Sequence, residues 1–252
     1  MLNPMAMTGR TILVTGASAG IGRETALLLS QLGGQVILVA RDRSRLEETH
    51  SLLVGTGHRI ESRDLSMLDE IPNWLQQITT ETGPISGLVH CAGMQMLIPL
   101  RQVTAVQVGT MMNINLTAAI MLARGLRQKG VHALPASIVF VSSVMGIVGA
   151  TGRSVYSSSK GALIALAKSL ALELSKDGLR VNCVAPAFVK TAMLEQMQEL
   201  TATAQFEAIE SAHPLGIGQP RDVANAIAFL LADTGRWITG TTLVVDGGYM
   251  AS

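Results

Sequence analysis

The sequence predicts an α/β protein with a doubly wound, mainly parallel sheet of seven strands. Three observations indicate this fold. Seven short apolar runs alternate with longer helical patterns, several of these runs are apolar at every position, and a glycine-rich turn follows the first run. Continuously apolar strands are typical of parallel sheets whose two faces are both covered by helices.

The strands are predicted at residues 11–15, 35–40, 58–63, 86–90, 137–142, 179–184 and 241–245. Helical patterns lie between them, at residues 20–32, 43–54, 68–82, 104–129, 154–176 and 221–232. This alternation indicates βαβ units, whose right-handed crossovers place helices on both faces of the sheet. No linker, repeat or low-complexity segment interrupts the chain, so a single domain over residues 1–252 is predicted.

Residues 190–213 differ from the other helical patterns because their apolar periodicity is weaker. They lie between the last two strands, where a doubly wound sheet has loops at its carboxyl edge. This position predicts a small helical cap over a substrate site; a pair of surface helices is the alternative.

Composition excludes several classes of function. The chain is 48% hydrophobic and 15% charged, with a formal net charge of +1, so it lacks the basic face that a nucleic-acid partner requires. Charges are expected to break the longest apolar stretches before they reach the length of a membrane span, so no membrane contact is predicted. The first ten residues lack the apolar core of a signal peptide, and two cysteines form no disulfide framework, so a cytoplasmic location is expected. The five histidines show no metal-ligand spacing, and no metal is predicted.

The stretch TILVTGASAGIGRETALLL predicts a strand, a tight turn and a helix. Gly16 would permit the turn, Gly20 would let the backbone approach a pyrophosphate, and Gly22 would allow close helix–strand packing. The free N–H groups at the start of the helix would then face the phosphates. A tight βα turn without a ligand is the alternative, but the context favours a Rossmann-type dinucleotide-binding domain.

The end of the second strand predicts which dinucleotide binds. A carboxylate there binds a ribose 2′-hydroxyl, whereas an arginine accommodates a 2′-phosphate. Arg41 directly follows the strand, with Arg43 and Arg45 nearby, while the competing Asp42 comes one residue later. NADP is therefore favoured over NAD; an Arg41 that only faces solvent is the alternative.

Tyr156 and Lys160 lie one helical turn apart at the start of a largely apolar helix. Reduction of a ketone with a nicotinamide cofactor needs a proton for the oxygen, and a phenol with an ordinary pKa near ~10 can supply it. The cation of Lys160 is expected to lower the pKa of Tyr156 and to bind the nicotinamide ribose. The alternative is a packed tyrosine beside a lysine that reaches to solvent. Ser143 ends a predicted strand thirteen residues before Tyr156, where its hydroxyl could hold the carbonyl oxygen.

Motifs are spread along the chain: TGASAGIG (15–22), Asp64-Leu65, HCAG (90–93), INLT (114–117), SSVMG (142–146), YSSSK (156–160), VAPAFVKT (184–191) and ITGTTLVVDGG (238–248). In these motifs the chain resembles the short-chain dehydrogenase/reductase family over essentially its whole length.

The resemblance implies roles for individual residues. Ser143, Tyr156 and Lys160 would form the family's catalytic triad, and Asn115 would be its fourth member, holding a water that links the lysine to solvent. Further residues implied to bind the cofactor are Ser18 and Ile21 in the glycine turn, Asp64 and Leu65 beside the adenine, Ala92 and Gly93 in HCAG, and Val189 and Thr191 at the carboxamide. Two departures are His90-Cys91 in place of the usual asparagine pair and Ala187 in place of a glycine, and both are expected to be tolerated. His90 is expected to be a core histidine, and Cys91 and Cys183 to be small buried apolar residues.

Within the family the chain looks most similar to 3-oxoacyl-acyl-carrier-protein reductases. Asp177 occupies a position where those enzymes carry a basic residue, so an acyl-carrier protein is left open as a partner and not favoured. The main hypothesis is an NADP-dependent enzyme that interconverts a small carbonyl compound and its alcohol. NAD-linked sugar, polyol or steroid dehydrogenases, a non-catalytic nucleotide sensor and a lyase or epimerase are the alternatives. The resemblance also implies a homotetramer.

Overall fold

The computed structural model describes residues 3–199 and 203–251 and contains one sheet of seven strands. The strands are β1 (Thr11–Thr15), β2 (Gln35–Ala40), β3 (Arg59–Ser62), β4 (Ile85–His90), β5 (His132–Val141), β6 (Leu179–Pro186) and β7 (Thr242–Val245). Their order is β3-β2-β1-β4-β5-β6-β7, and all six pairings are parallel. The predicted doubly wound sheet is confirmed.

The helices are α1 (Gly20–Gln31), α2 (Arg43–Ser51), α3 (Ile71–Thr82), α4 (Ala105–Met112), α5 (Ala118–Leu126), α6 (Ser154–Leu174), α7 (Ala192–Glu199), α8 (Thr203–Ser211) and α9 (Pro220–Leu231). The strand order reverses between β1 and β4, because β2 and β3 extend to one side of β1 and the later strands to the other. Ligands of open parallel sheets bind at such a switch point, beyond the carboxyl ends of the strands.

Two hydrophobic cores, one on each face, explain why the central strands are largely apolar on both faces. In β1, Leu13 packs into the core that also contains α3, α5 and α6, whereas Ile12 and Val14 pack into the core with α1 and α9. All three side chains are at most 1% exposed. Successive side chains of a strand point to opposite faces, so a sheet covered on both sides needs apolar residues at each position.

The helix predicted over 104–129 is interrupted. Between α4 and α5, residues Asn113–Thr117 form a π-helical turn, which is a wider turn often found at functional sites. By length and hydropathy alone, the combined segment Ala105–Leu126 could cross a membrane. The expectation that charges break every apolar stretch is therefore wrong, since residues 102–123 carry none. In this fold the segment connects β4 to β5, and Ala118 and Leu122 are fully buried in the core.

Other differences lie at element ends. β5 begins at His132 instead of 137, because the strand accommodates Pro135 with a shift of register against β4. Helices α7 and α8 occupy the region predicted as a cap, and Leu194, Met197 and Phe206 form a small apolar cluster there. Residues 200–202 of the predicted cap lie outside the described residues.

Candidate active site

A cleft of about 800 Å³, part of it open to solvent, lies at the carboxyl edge of the sheet beside α7. It brings together seven of the residues predicted from the sequence: Ile21, Gly93, Ser143, Tyr156, Lys160, Val189 and Thr191. Much of the remaining wall is apolar and includes Met94, Met145, Phe188, Met193, Leu194 and Met197. A largely apolar cleft with a few convergent polar groups is the usual form of a small-molecule site.

Helix α6 begins at Ser154, so Tyr156 and Lys160 lie on its first two turns and face the same cleft. Lys160 is 6% exposed, and its Nζ donates a hydrogen bond of 2.8 Å to the carbonyl oxygen of Val141, at the end of β5. The same ammonium lies 5.9 Å from the centroid of the Tyr156 ring. The cation is thus fixed between the sheet and the phenol.

Burial dominates the electrostatics of both groups. It lowers the pKa of Lys160 from its ordinary value to about 8. Burial raises the pKa of Tyr156, and this effect is partly offset by a hydrogen bond with Ser143 and by the positive charge of Arg153. The expectation that Lys160 sets a lowered pKa for Tyr156 is therefore wrong for the chain without cofactor, because removing the phenolate from water outweighs the nearby positive charges.

Ser143 follows β5 and reaches the phenol because the chain packs unusually closely against α6. Its Oγ accepts a hydrogen bond of 3.2 Å from the N–H of Met145. This bond caps the start of a short 3₁₀ turn, Val144–Gly146. A β-carbon on Gly146 would lie 2.7 Å from the backbone nitrogen of Gly161. The lack of a side chain at Gly146 therefore lets this turn approach the helix that carries Tyr156.

Asn115 is fully buried and supports the site without lining it. Its Oδ1 accepts a hydrogen bond of 2.8 Å from the N–H of Met94, and its Nδ2 donates to the carbonyl of Met94 at 3.0 Å and to Ser159 Oγ at 2.9 Å. Ser159 in turn donates to the carbonyl of Tyr156 at 2.7 Å. The amide therefore connects the loop after β4 to the first turns of α6. The water-holding role that the resemblance implies stays a prediction.

The glycine turn has the geometry that a dinucleotide requires. Gly16 adopts a φ of +67°, and a β-carbon there would lie 2.8 Å from the backbone nitrogen of Ala92. A β-carbon on Gly22 would collide with the carbonyl oxygen of Gly16, and one on Gly20 would lie 3.1 Å from the methyl carbon of Thr191. Arg23 donates to the carbonyl of Ser18 at 2.8 Å and holds the turn.

The first turn of α1 carries no acidic residue and no side-chain cap. Its first N–H groups have no partner within the helix and can donate hydrogen bonds to an anion. The residues present therefore fit a dinucleotide pyrophosphate at this position.

The predicted nucleoside end of the site lies outside the cleft. Arg41 is exposed at the end of β2. The pKa of Asp64 is lowered mainly because its carboxylate accepts a hydrogen bond of 2.9 Å from the N–H of Ser66, and the charge of Arg41 adds to this effect. Asp42 serves as the N-cap of α2, accepting a hydrogen bond of 3.1 Å from the N–H of Arg45. Leu65 is 7% exposed and belongs to the core.

His90 is a core residue, as its place in a strand predicts. It is 1% exposed, and its Nδ1 lies 3.0 Å from Thr15 Oγ1. Burial, together with the charge of Lys160, lowers the pKa of His90 to about 3, so the ring is neutral at ordinary pH. Cys183 is buried, but Cys91 lines the cleft, which differs from the expectation that both only fill the core.

Sequence reasoning missed two residues of the cleft, Arg153 and Gln95. Arg153 is 8% exposed, and its guanidinium donates to the side-chain oxygen of Gln95 at 3.0 Å. An arginine directly before a helix is a signal that could have revealed it, because the positive end of the helix dipole disfavours a cation there.

Comparisons with known proteins agree with this geometry. A family model described as enoyl-(acyl carrier protein) reductase matches residues 16–250. The 3-oxoacyl-[acyl-carrier-protein] reductase of Rickettsia felis is 36% identical over 245 residues, covering 97% of this chain and 98% of that protein. The L-xylulose reductase of Mus musculus is 37% identical over 257 residues, covering 98% and 99%.

A solved structure from Beutenbergia cavernae superposes with a TM-score of 0.89 at 28% identity, covering 99% of this chain and 100% of that one. It is described as an NAD(P)-dependent gluconate 5-dehydrogenase and contains NADP at low occupancy. The all-parallel sheet, the glycine turn and the match across 16–250 lead to one conclusion: the chain belongs to the short-chain dehydrogenase/reductase family and is an NAD(P)-dependent oxidoreductase.

Proposed function

We propose that this protein is an NADP-dependent carbonyl reductase, which interconverts a small ketone and its secondary alcohol. The observation that carries the proposal is the placement of Ser143, Tyr156 and Lys160 around one cleft that also reaches the glycine turn through Ile21 and Thr191. A proton donor, a hydrogen-bond donor and a buried cation at one point match what reduction of a carbonyl requires.

The chain's own residues would perform the proton transfer. Ser143 and Tyr156 would donate hydrogen bonds to the carbonyl oxygen, and the raised pKa of Tyr156 keeps its proton available until the oxygen becomes basic. Lys160 would hold the nicotinamide ribose and stabilise the phenolate that remains. The cofactor, when bound, supplies the hydride. Gly93, Val189 and Thr191 would position the nicotinamide against this face of the cleft.

A preference for NADP over NAD is supported by the end of β2. Arg41 is exposed there, and no ion pair among the described residues involves it, so its charge is available for a 2′-phosphate. The competing carboxylate of Asp42 is already engaged as a helix cap. The NADP in the Beutenbergia cavernae relative is consistent with this preference.

A free ketone is favoured over one carried by an acyl-carrier protein. Arg127 forms ion pairs with Asp177 at 2.9 Å and with Glu173 at 3.5 Å. Arg127 is thus already paired with two carboxylates, which reduces the attraction it could offer to an acidic carrier. Because the charge of Arg127 partly neutralises the charge of Asp177, this aspartate repels an acidic carrier less strongly than the sequence alone indicated.

A homotetramer is part of the proposal and has its support in exposed apolar residues. Leu172 on α6 is 82% exposed, and Trp237, before β7, is 96% exposed. Both lie near the surfaces that the family resemblance assigns to subunit contacts, the long helix and the C-terminal strand. Light scattering of the purified protein tests this, and a monomer would contradict it.

Binding and turnover together test the proposed activity. Fluorescence titration with NADPH and NADH should show tighter binding of NADPH. A panel of ketones, including 3-oxoacyl thioesters, should then oxidise NADPH with wild-type protein and not with Tyr156→Phe, whose NADPH affinity should stay within about threefold. Turnover by Tyr156→Phe similar to wild type would refute the proton-transfer role. Cofactor binding without turnover across the panel would favour a nucleotide sensor.

A further inference from the structure

The cleft contains a buried cation that the proposed proton transfer does not use. Arg153 is 8% exposed, and it lines the cleft three residues before Tyr156. Its guanidinium donates to the Gln95 side-chain oxygen at 3.0 Å and to the thioether sulfur of Met197 at 2.9 Å. No ion pair among the described side chains involves Arg153.

Burying the charge of Arg153 beside neutral side chains costs folding free energy unless an anionic ligand pairs with it. A buried charge is normally paired with an opposite charge, and a thioether is a weak acceptor for a guanidinium N–H. Arg153 is also the residue directly before the first turn of α6, where the positive end of the helix dipole repels a cation. Stability alone would disfavour an arginine at this position.

The charges around the cleft are all of one sign. Arg153 and Lys160 are the charged residues among those that line it, and no described lining residue carries a carboxylate. The ammonium of Lys160 is already directed at the carbonyl of Val141. Among the described lining residues, the guanidinium of Arg153 is therefore the positive group that neither an ion pair nor a backbone carbonyl engages, and its hydrogen-bond partners are the neutral side chains of Gln95 and Met197.

We propose that Arg153 binds an anionic group of the substrate, and that the substrate is a keto acid whose carboxylate is held there while its ketone meets Tyr156. This rests on the proposed carbonyl reduction. The planar guanidinium matches a carboxylate through two parallel hydrogen bonds, whereas a phosphate dianion usually requires several positive or N–H groups. The side chains of Arg153 and Tyr156 start about one helical turn apart, so the carboxylate and the ketone belong to one short molecule. The cleft also contains the apolar side chains of Met145, Phe188 and Leu194, which would contact the carbon chain of such a molecule.

Paired ligands test the charge requirement without relying on turnover. We would titrate 3-oxobutanoate, 4-oxopentanoate and 5-oxohexanoate, and the methyl ester of each, into the protein saturated with NADP⁺ by calorimetry. Oxidised cofactor prevents reduction of the ketone, so only binding is measured. For at least one chain length, wild type should bind the acid about tenfold or more tightly than its ester. The ratio of the affinity for the acid to the affinity for its ester should fall below about twofold in Arg153→Gln and be partly retained in Arg153→Lys.

Because the affinities for the acid and its ester are compared in wild type, the comparison tests the proposal even where a variant folds poorly. Equal affinity of every acid and its ester, which includes no measurable binding of either, would overturn it, and so would a preference that survives in Arg153→Gln. A preferred acid that binds but is not reduced with NADPH would support the anion site and refute the proposed activity.

Steady-state kinetics separates substrate binding from an effect of Arg153 on Tyr156. For a substrate pair that turns over, Arg153→Gln should raise KM for the acid by about tenfold or more and leave kinetics with the ester within about threefold. An equal loss of kcat for acid and ester would overturn the assignment, because Arg153 would then act through the phenol.

Discussion

Lys160 donates a hydrogen bond of 2.8 Å from its ammonium group to the carbonyl oxygen of Val141, the last residue of β5. This bond anchors the first turns of α6 to the sheet edge and holds a positive charge beneath Tyr156. A single carbonyl compensates only part of the lost hydration, which is why burial lowers the pKa of Lys160 to about 8. The cation proposed to act in catalysis is thus held in the fold at a cost to stability.

That cost should be visible in the pH dependence of stability. The folded chain holds the proton of Lys160 less tightly than the unfolded chain, so between about pH 8 and pH 10.5 the unfolded state binds more protons. The free energy of unfolding of wild type should therefore rise, relative to Lys160→Met, by about 3 kcal/mol across this window. Denaturant unfolding of both proteins without cofactor measures the difference. Lys168→Met, which removes a lysine from an exposed site on the same helix, is the control.

The titration of Tyr156 distinguishes burial from the influence of the nearby cation. The chain has two tyrosines, so the phenolate absorbance lost in Tyr156→Phe reports this residue alone. Its midpoint without cofactor should lie above about 10, since burial outweighs the charge of Arg153 and the hydrogen bond from Ser143. Ser143→Ala should raise it further. A midpoint below about 10 in wild type would instead favour the sequence-based expectation that Lys160 dominates.

The sequence predicted the sheet well because several strands of this doubly covered sheet are apolar at every position and segments with helical periodicity separate the strands. Its motifs also identified the positions that gather at the cleft, as Ser143, Tyr156 and Lys160 do. Patterns of this kind report which face a side chain occupies. They do not report how completely the side chain is removed from water. For Tyr156 this burial raises the pKa, whereas the sequence predicted a lowered pKa.

Features that depend on contacts between distant segments escaped prediction. The π-helical turn at Asn113–Thr117 has no periodicity of its own, and the early start of β5 is obscured by Pro135. Arg153 resembles an exposed residue before a helix until the approach of Gln95 and Met197 buries it. Gln95 and Met197, which bury Arg153, lie 58 and 44 residues away from it in the chain.

Close packing at Gly146 should be essential to the site. A β-carbon there would lie 2.7 Å from the nitrogen of Gly161 and from the carbonyl carbon of Lys160, both backbone atoms that cannot move alone. Gly146→Ala should cost about 1–3 kcal/mol of stability and lower kcat, because the turn carrying Ser143 must move away from α6. Gly149→Ala is the matched control, since nothing lies within 4 Å of its β-carbon. Equal effects of the two substitutions on thermal unfolding and on turnover would refute this reasoning.

Two neighbouring arginines should differ in their effect on cofactor choice. Arg41→Ala should weaken NADPH binding by about tenfold or more and leave NADH binding within about twofold, because only the 2′-phosphate loses its partner. Arg43 is also exposed but is paired with Glu47 at 3.0 Å, so Arg43→Ala should change neither affinity appreciably. Fluorescence titration with both cofactors measures the ratio. An unchanged NADPH affinity in Arg41→Ala would mean that Arg41 does not contact the phosphate.

Asn115 should matter to both stability and turnover although it does not line the cleft. Asn115→Ala removes the hydrogen-bond partner of both the N–H and the carbonyl of Met94, at a cost of about 1–3 kcal/mol. The loop after β4 and the first turns of α6 would then separate, so kcat should fall more than the affinity for cofactor. Asn113→Ala, at an exposed position two residues earlier, should change stability by less than about 0.5 kcal/mol. Denaturant unfolding together with single-turnover reduction separates the two effects, and a stable but inactive Asn115→Ala would favour the water-holding role over the structural one.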